Sequence, residues 1–343
     1  MDLSRRTAPP SSVAPRAVTD ADVPAEAPPA KRLEAMLRWA VQAPSVLNTQ
    51  PWRFRIDGDA VSVFVDQDRV LATVDPEGRE AAVSCGAALF TLRLAARHYG
   101  ETIDVELAGP GDEPGLVGTL RLTGHAPPTA SEETLFRAVK ARHTNRAPYA
   151  DLAVPVGLLA RLRGAAEAEG ARLHMLTGDS DKAALADLVG RAIRAQSDYE
   201  SLEEIGRWAR GAGDDRPDGV ADVPWGGWGR MGHLHADPRF AVGEARTLVA
   251  GAPALLVVAT DADDRAAWAR AGAALQHVLL LGAAHGLAAS YFNQPTEVDE
   301  LRPEVSAVAG GGYAQVVFRL GTPVEAPGTP RRPVGEVLVY EAG

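Results

Sequence analysis

Residues 140–149, "KARHTNRAPY", place Arg142, His143, Thr144 and Arg146 within one short segment, and "GTPRRPVGEV" at 328–337 adds Arg331 and Arg332. The chain as a whole carries a formal charge of -10, so these clusters need a local reason. Guanidinium groups bind phosphate through paired, charge-assisted hydrogen bonds, and a phosphomonoester dianion draws two or more of them. Thr144 could add a hydroxyl. A third stretch, "APSVLNTQPWRF" at 43–54, sets Ser45, Asn48 and Gln50 on a turn between Pro44 and Pro51. Such a turn can offer backbone N–H groups and side-chain donors to the edge of a planar heteroaromatic ring.

The elements that must position these residues are legible from periodicity. Leu33, Met36, Leu37, Ala40 and Val41 repeat with helical spacing from Lys31, and Pro44 stops that helix. Trp52, Phe54 and Ile56 then alternate with Arg53 and Arg55. After Asp57-Gly58 the series Val61, Val63, Val65 resumes the two-residue period, which predicts a hairpin with one buried face. Trp52 belongs to the core by this pattern. A helix follows over 77–99, with Gly86, Ala87 and Ala88 forming a small-residue seam that a second helix could approach closely, and strands follow near 102–107 and 118–122. Further helices are expected near 132–141, with Thr129 and Glu132 as a capping box, near 156–169, and near 181–195.

The chain also echoes itself. "DPEGREAAVSCGAALFTLRLAARHYG" from Asp75 aligns without gaps with "DADDRAAWARAGAALQHVLLLGAAHG" from Asp261, sharing Gly-Ala-Ala-Leu and the closing Gly100 and Gly286. Strand-like segments follow each copy. The second set is "LAASYF" and "YAQVVFRLG", where Ala314, Val316, Phe318 and Leu320 alternate with Gln315, Val317 and Arg319. The repeat therefore reads as a duplicated half-domain, and no short period indicates a solenoid.

Bulk properties bound the function. A chain of 343 residues with 46% apolar and 23% charged residues can build its own core. No apolar run reaches the roughly 18 residues of a membrane span, and the acidic balance argues against general nucleic-acid binding. Cys85 is the single cysteine and sits on an apolar helix face, so no intrachain disulfide or cysteine zinc site is available, and a cytoplasmic location is expected. Residues 1–30, rich in Pro, Ala and Ser, predict a loosely ordered arm without a secretory h-region. Residues 211–240 break all periodicity and read as a binding loop or lid. Within them Trp225 and Trp228 could anchor the loop or cover a ligand, and His233 with His235 has no third ligand nearby to suggest a metal. Ser45 has no evident His/Asp partners and reads as a hydrogen-bond donor rather than a nucleophile.

"APSxxNxQPWxF" and "RHTNRAPY" resemble the two signature segments of the FMN-dependent nitroreductase family. In that family an Arg-x-Ser/Thr-x-basic motif holds the flavin phosphate and ribityl chain, and the APS/Asn turn reaches the flavin from the partner subunit. Here the turn comes first, and the arginine motif opens what looks like a second family copy. The place where a second turn would stand reads "AAEAEGARLHML" at 165–176, and the first half has no such arginine motif. The resemblance, which is to the actinobacterial Acg-type branch, implies an α+β fold of two fused nitroreductase-like halves, each a mostly antiparallel sheet packed with helices, forming one pseudo-dimer. The expected division is an arm at 1–30, a first half at 31–128, and a second half at 129–343.

One FMN is implied, held by Pro44, Ser45, Asn48, Gln50, Arg142, His143, Thr144, Arg146, Arg331 and Arg332. Asn293 and Gln294 of "GLAASYFNQPTE" match the family's N5/O4 edge by position. Trp225, Trp228 and Met231 would close the lid. Chemistry would reside on flavin N5, with no side-chain acid or base demanded: NAD(P)H would deliver hydride to the flavin, and a small-molecule acceptor, nitroaromatic or quinone, would remove it. The alternative implied by the same branch is a flavin-holding protein whose lid covers the face where a nicotinamide would stack. Fusion of the halves favours a monomer.

Overall fold

The computed structural model describes residues 23, 26–211, 214–221, 238–323 and 328–339. In chain order the elements are α1 (Pro29–Ala40), β1 (Trp52–Asp57), β2 (Ala60–Val65), α2 (Arg79–His98), β3 (Glu101–Leu107), β4 (Leu116–His125) and α3 (Ala130–Ala141). Then come α4 (Val156–Glu167), β5 (Arg172–Met175), α5 (Asp179–Ala195), α6 (Tyr199–Arg207) and the short paired strands β6 (Ala209–Arg210) and β7 (Val220–Ala221). The remainder is α7 (Pro238–Ala250), β8 (Ala254–Thr260), α8 (Arg265–Ala283), β9 (Ala288–Tyr291), α9 (Gln294–Glu297), α10 (Arg302–Ala309), β10 (Tyr313–Gly321) and β11 (Leu338–Val339). The expected lid residues Trp225, Trp228 and Met231, with His233 and His235, lie outside the described residues.

The fold is mixed α+β, as the resemblance implied. One sheet has the order β11-β1-β2-β4-β3 and the other β5-β8-β10-β9. All neighbours in these two sheets are antiparallel except β11, which lies parallel to β1 with Phe54 opposite Leu338. The β1–β2 hairpin has the expected register, from Trp52 opposite Val65 to Asp57 opposite Ala60. Gly58 takes the left-handed conformation its turn requires, at φ 58°. Thr129 and Glu132 form the full capping box at the start of α3.

The echoed helices pack on each other through the small-residue seam. A Cβ at Gly86 would land on the carbonyl of Ala269, and a Cβ at Gly272 on that of Val83. Both pairs are related by the same sequence offset as Asp75 and Asp261, so the contact is reciprocal, as between two copies related by a two-fold axis. From Arg79 to Leu92 every residue of α2 is buried, the burial pattern of a central helix covered on all sides. Strand β10 departs from its expected alternation, since all its residues after Tyr313 are buried. Val316, Phe318 and Leu320 join the core around α8, while Ala314 and Val317 join a second core built on α5, α7 and α10. A sheet covered on both faces has no polar side to show.

Candidate functional site

The turn after α1 is strained in a specific way. Leu47, Asn48 and Gln50 all have positive φ, at 44°, 55° and 51°. Such conformations in non-glycine residues cost on the order of 1–3 kcal/mol each and persist where surrounding contacts impose them. Here the contacts are visible. Ser45 Oγ accepts from the Gln50 N–H at 2.9 Å, and Ser84 Oγ on α2 accepts from the Val46 N–H at 3.4 Å. Asn48 Nδ2 donates to the carbonyls of Gly219 (3.0 Å) and Pro330 (3.3 Å), and Gln50 Nε2 donates to Pro217 O at 2.8 Å. Gln50 Oε1 in turn accepts from the Arg332 N–H at 2.8 Å. The two amides therefore tie residues 217–219 and 330–332 to the turn instead of lining the cavity described below.

The arginine segment leaves α3 at Arg142 and runs beside β9. Thr144 forms an isolated parallel bridge with Ala289, and the Asn145 N–H donates to Ala289 O at 2.9 Å. Arg319, 1% exposed on β10, donates to the carbonyls of Arg146 (2.6 Å) and Ala147 (2.9 Å) while its guanidinium stacks on Tyr149. The loop that presents Arg146 is thereby clamped from below.

Arg142 and Arg331 converge on one acceptor. Arg142 Nη2 donates to Gln42 O at 3.1 Å and Arg331 Nη2 to the same oxygen at 3.4 Å. Arg331 Nη1 also donates to Asn48 Oδ1 at 3.3 Å and Thr329 Oγ1 at 2.7 Å. Burial first, and the Arg142 guanidinium second, push Arg331 down to about 9, so it stays cationic at neutral pH. Burial likewise lowers Arg142 and Arg146. Tyr291, raised by burial, lies in the field of all three guanidiniums, with the Thr144 hydroxyl beside its own. Among the described residues no carboxylate lies within ion-pair distance of Arg142, Arg146 or Arg331, and the Nε atoms of Arg142 and Arg331 are buried without partners. Uncompensated buried charge of this kind is costly unless an anion completes it.

The remaining two basic candidates behave differently. Arg332 is committed elsewhere, donating to Gln50 O (3.3 Å) and Glu336 O (2.9 Å) and pairing with the Glu336 carboxylate at 3.3 Å. His143 is half-buried, and burial together with Arg142 and Arg331 lowers it to about 4, so it is neutral at physiological pH.

A cavity of about 800 Å³, its mouth included, opens between the two halves. Pro44, Ser45, Val46 and Leu47 line it from the turn, Glu80 and Ser84 from α2, and Thr144, Arg146 and Tyr291 from the arginine segment and β9. Asn293, Gln294 and Glu297 complete it. Of the sequence-derived candidates, Pro44, Ser45, Thr144, Arg146, Asn293 and Gln294 meet in this cavity. Arg142 and Arg331 do not line it, although their charges act on Tyr291, which does, and Asn48, Gln50 and Arg332 form the scaffold joining the turn to the late segment.

Sequence reading missed Glu80, Ser84, Tyr291 and Glu297. One signal pointed to the first two. In the echo, Glu80 and Ser84 align with Ala266 and Arg270, so α2 carries polar groups on a buried face that its copy does not share. Cys85 is fully buried and its thiol is raised by that burial, in keeping with the inert apolar role expected of it.

No family model matches the chain. "Putative NAD(P)H nitroreductase Rv3131" of Mycobacterium tuberculosis is 32% identical over 332 residues, covering 91% of this chain and 92% of that protein. "Putative NAD(P)H nitroreductase acg" of the same organism is 29% identical over 330 residues, covering 90% of this chain and 96% of its own. Among solved structures, the FMN and NADPH-dependent nitroreductase NfnB from Sphigopyxis sp. aligns with a TM-score of 0.42 at 20% identity, over 61% of this chain and 99% of that one. Among the described residues no helix is long and apolar enough to cross a membrane.

Proposed function

The chain belongs to the nitroreductase family, and from that premise we propose that it is an FMN-binding oxidoreductase that draws hydride from NAD(P)H and reduces a nitroaromatic or quinone. The observation that carries this reading is the trio Arg142, Arg146 and Arg331, three guanidiniums without a carboxylate partner among the described residues, one of which, Arg146, lines the cavity. The partnerless Nε atoms of Arg142 and Arg331 are groups a phosphate ester would satisfy, so the residues present fit FMN.

In this proposal Arg142 and Arg331 hold the phosphate, with Thr144 and Arg146 along the chain that leads from it. Ser45 and Pro44 support the ring from the first half, and the 293–294 segment faces its reactive edge. Bound FMN would supply the hydride-accepting and hydride-donating centre. Arg146, which lines the cavity, would stabilise negative charge that develops beside it during reduction. Asn48 and Gln50 act one step removed, by fixing Arg331 and the backbone that carries it. We propose residues 31–128 and 129–343 as the two halves, with 334–339 crossing back to the first sheet. Since one chain supplies both walls of the cavity, we also propose a monomer, with a small-molecule electron acceptor as its partner.

A second reading, a flavin-holding protein with little turnover, is favoured by one observation. The segment before residue 221 is stapled to the turn by Asn48, by Gln50 and by the 2.9 Å Arg69–Asp218 ion pair, which would fix a cover at its root. Purified protein separates the readings. Yellow protein that NADPH bleaches anaerobically and a nitroaromatic restores supports the enzyme. Yellow protein that NADPH leaves unbleached supports holding, and a colourless protein indifferent to added FMN removes both.

A further inference from the structure

The cavity has an acidic wall that flavin binding alone does not explain. Glu80, 3% exposed, and the half-buried Glu297 both line it, and their carboxyls lie within hydrogen-bond reach of each other. Glu80 Oε1 accepts from Asn293 Nδ2 at 2.9 Å, and Glu297 Oε2 accepts from Gln196 Nε2 at 2.7 Å. Glu80 Oε2 is buried with no conventional donor. A third carboxyl, Asp75, stands behind them, accepting from the N–H groups of Glu80 and Ala81 at 3.0 Å each.

Three carboxyls face one neighbouring cation, Arg79. Its guanidinium is 3.5 Å from Glu80 but is spent mainly on the carbonyls of Gln315 (2.6 Å) and Thr296 (2.9 Å). Arg146 and Tyr291 line the same cavity. Two carboxyl oxygens can bond to each other only through a proton, and like charges this close in a buried site do not both ionise. Burial first, then the mutual repulsion, raise Glu80 well above the ordinary carboxylate range; burial holds Glu297 at about 7.

We propose that Glu80 and Glu297 share one proton and deliver it into the cavity, to the oxygen of the acceptor being reduced; this rests on the oxidoreductase reading above. For a quinone the balance is direct. A hydride brings two electrons and one proton to one carbonyl oxygen, leaving the other as an oxyanion. The O–H bond of the carboxyl pair breaks, the oxyanion takes that proton to give the hydroquinol, and the two carboxylates left behind recover a proton from water at the cavity mouth. The echo carries alanine at the position matching Glu80, so the device exists in only one half.

Infrared titration of the full-length, FMN-free protein tests the shared proton without reference to the flavin. A protonated-carboxyl band should disappear with a midpoint near neutral pH, change that midpoint in Glu80→Gln and in Glu297→Gln, and keep it in the surface control Glu304→Gln. With FMN bound, both variants should keep occupancy and KM while kcat for quinone reduction falls about a hundredfold and loses its decline above neutral pH. Absence of the band overturns the shared proton whether or not FMN binds. A band with wild-type kcat and pH profile in both variants, or protein that takes up no FMN, overturns delivery.

Discussion

Asn48 Oδ1 receives Arg331 Nη1 at 3.3 Å across 283 residues of sequence, while Asn48 Nδ2 binds the carbonyl of the preceding Pro330. While Pro44 and Ser45 of the turn line the cavity, its Asn48 is the mould in which the late arginine is set. Asn48→Gly keeps the left-handed backbone but removes both contacts. It should weaken FMN retention by about tenfold or more, the worth of a hydrogen bond to a charged group, with little change in Tm of the FMN-free protein. Asn48→Ala should do the same and also lower Tm, because alanine resists φ 55°. Fluorescence titration with FMN and a thermal melt read the two effects separately, and equal Tm values for the two variants would contradict the strain argument.

The paired guanidiniums make a second, opposite demand on stability and binding. Arg142→Ala with Arg331→Ala should reduce FMN affinity by at least about a hundredfold, since two sets of charge-assisted bonds are lost. Folding should not suffer, because the wild-type groups are buried charges without counter-ions. The melting temperature should therefore hold or rise in FMN-free protein, and the upward shift on adding FMN should vanish. Unchanged flavin occupancy would remove the phosphate assignment.

The crossing of α2 and α8 predicts a large effect from one methyl group. Gly86→Ala or Gly272→Ala drives a Cβ into backbone carbonyl oxygen on the facing helix, which neither helix can yield without moving the other. Each should cost about 3 kcal/mol or more in urea denaturation. Gly164→Ala on α4, with open space around its Cβ position, should be neutral or stabilising by up to about 1 kcal/mol. A mild effect at Gly86 would mean that the helices are not in contact there.

Glu297 gives the FMN-free protein a signed pH dependence. Its folded value is about 7 against an ordinary 4.5. Between those values the native state holds more protons than the unfolded chain, so stability falls as pH rises through that window and levels off above it. Urea midpoints at pH 5 and pH 8 should differ less in Glu297→Gln than in wild type. A variant with the wild-type difference would show that Glu297 ionises normally.

Much of this site could be read from sequence, for reasons that also mark where reading stopped. "RHTNR" and "APSVLNTQPW" are contiguous, so their residue types and spacing announce a cationic cluster and a hydrogen-bonding turn. The small-residue seam at Gly86 forecast the helix crossing, because close approach has a compositional signature. Glu80 is marked only by the alanine its echo carries, and Glu297 has no such signature, being an ordinary helical glutamate until α2 and α9 bring the pair to one wall. The committed state of Arg332 and the structural employment of Asn48 and Gln50 also arise from tertiary partners far away in the chain. Strand β10 defeated its alternating pattern because helices cover it twice.

The return of β11 to the edge of β1 sets an order of assembly during synthesis. Gln42 and Asn48 leave the ribosome long before Arg331, so a nascent chain carries an acceptor for the guanidinium with nothing yet to receive. Only a polypeptide synthesised as far as that strand can complete the first sheet, with Leu338 beside Phe54.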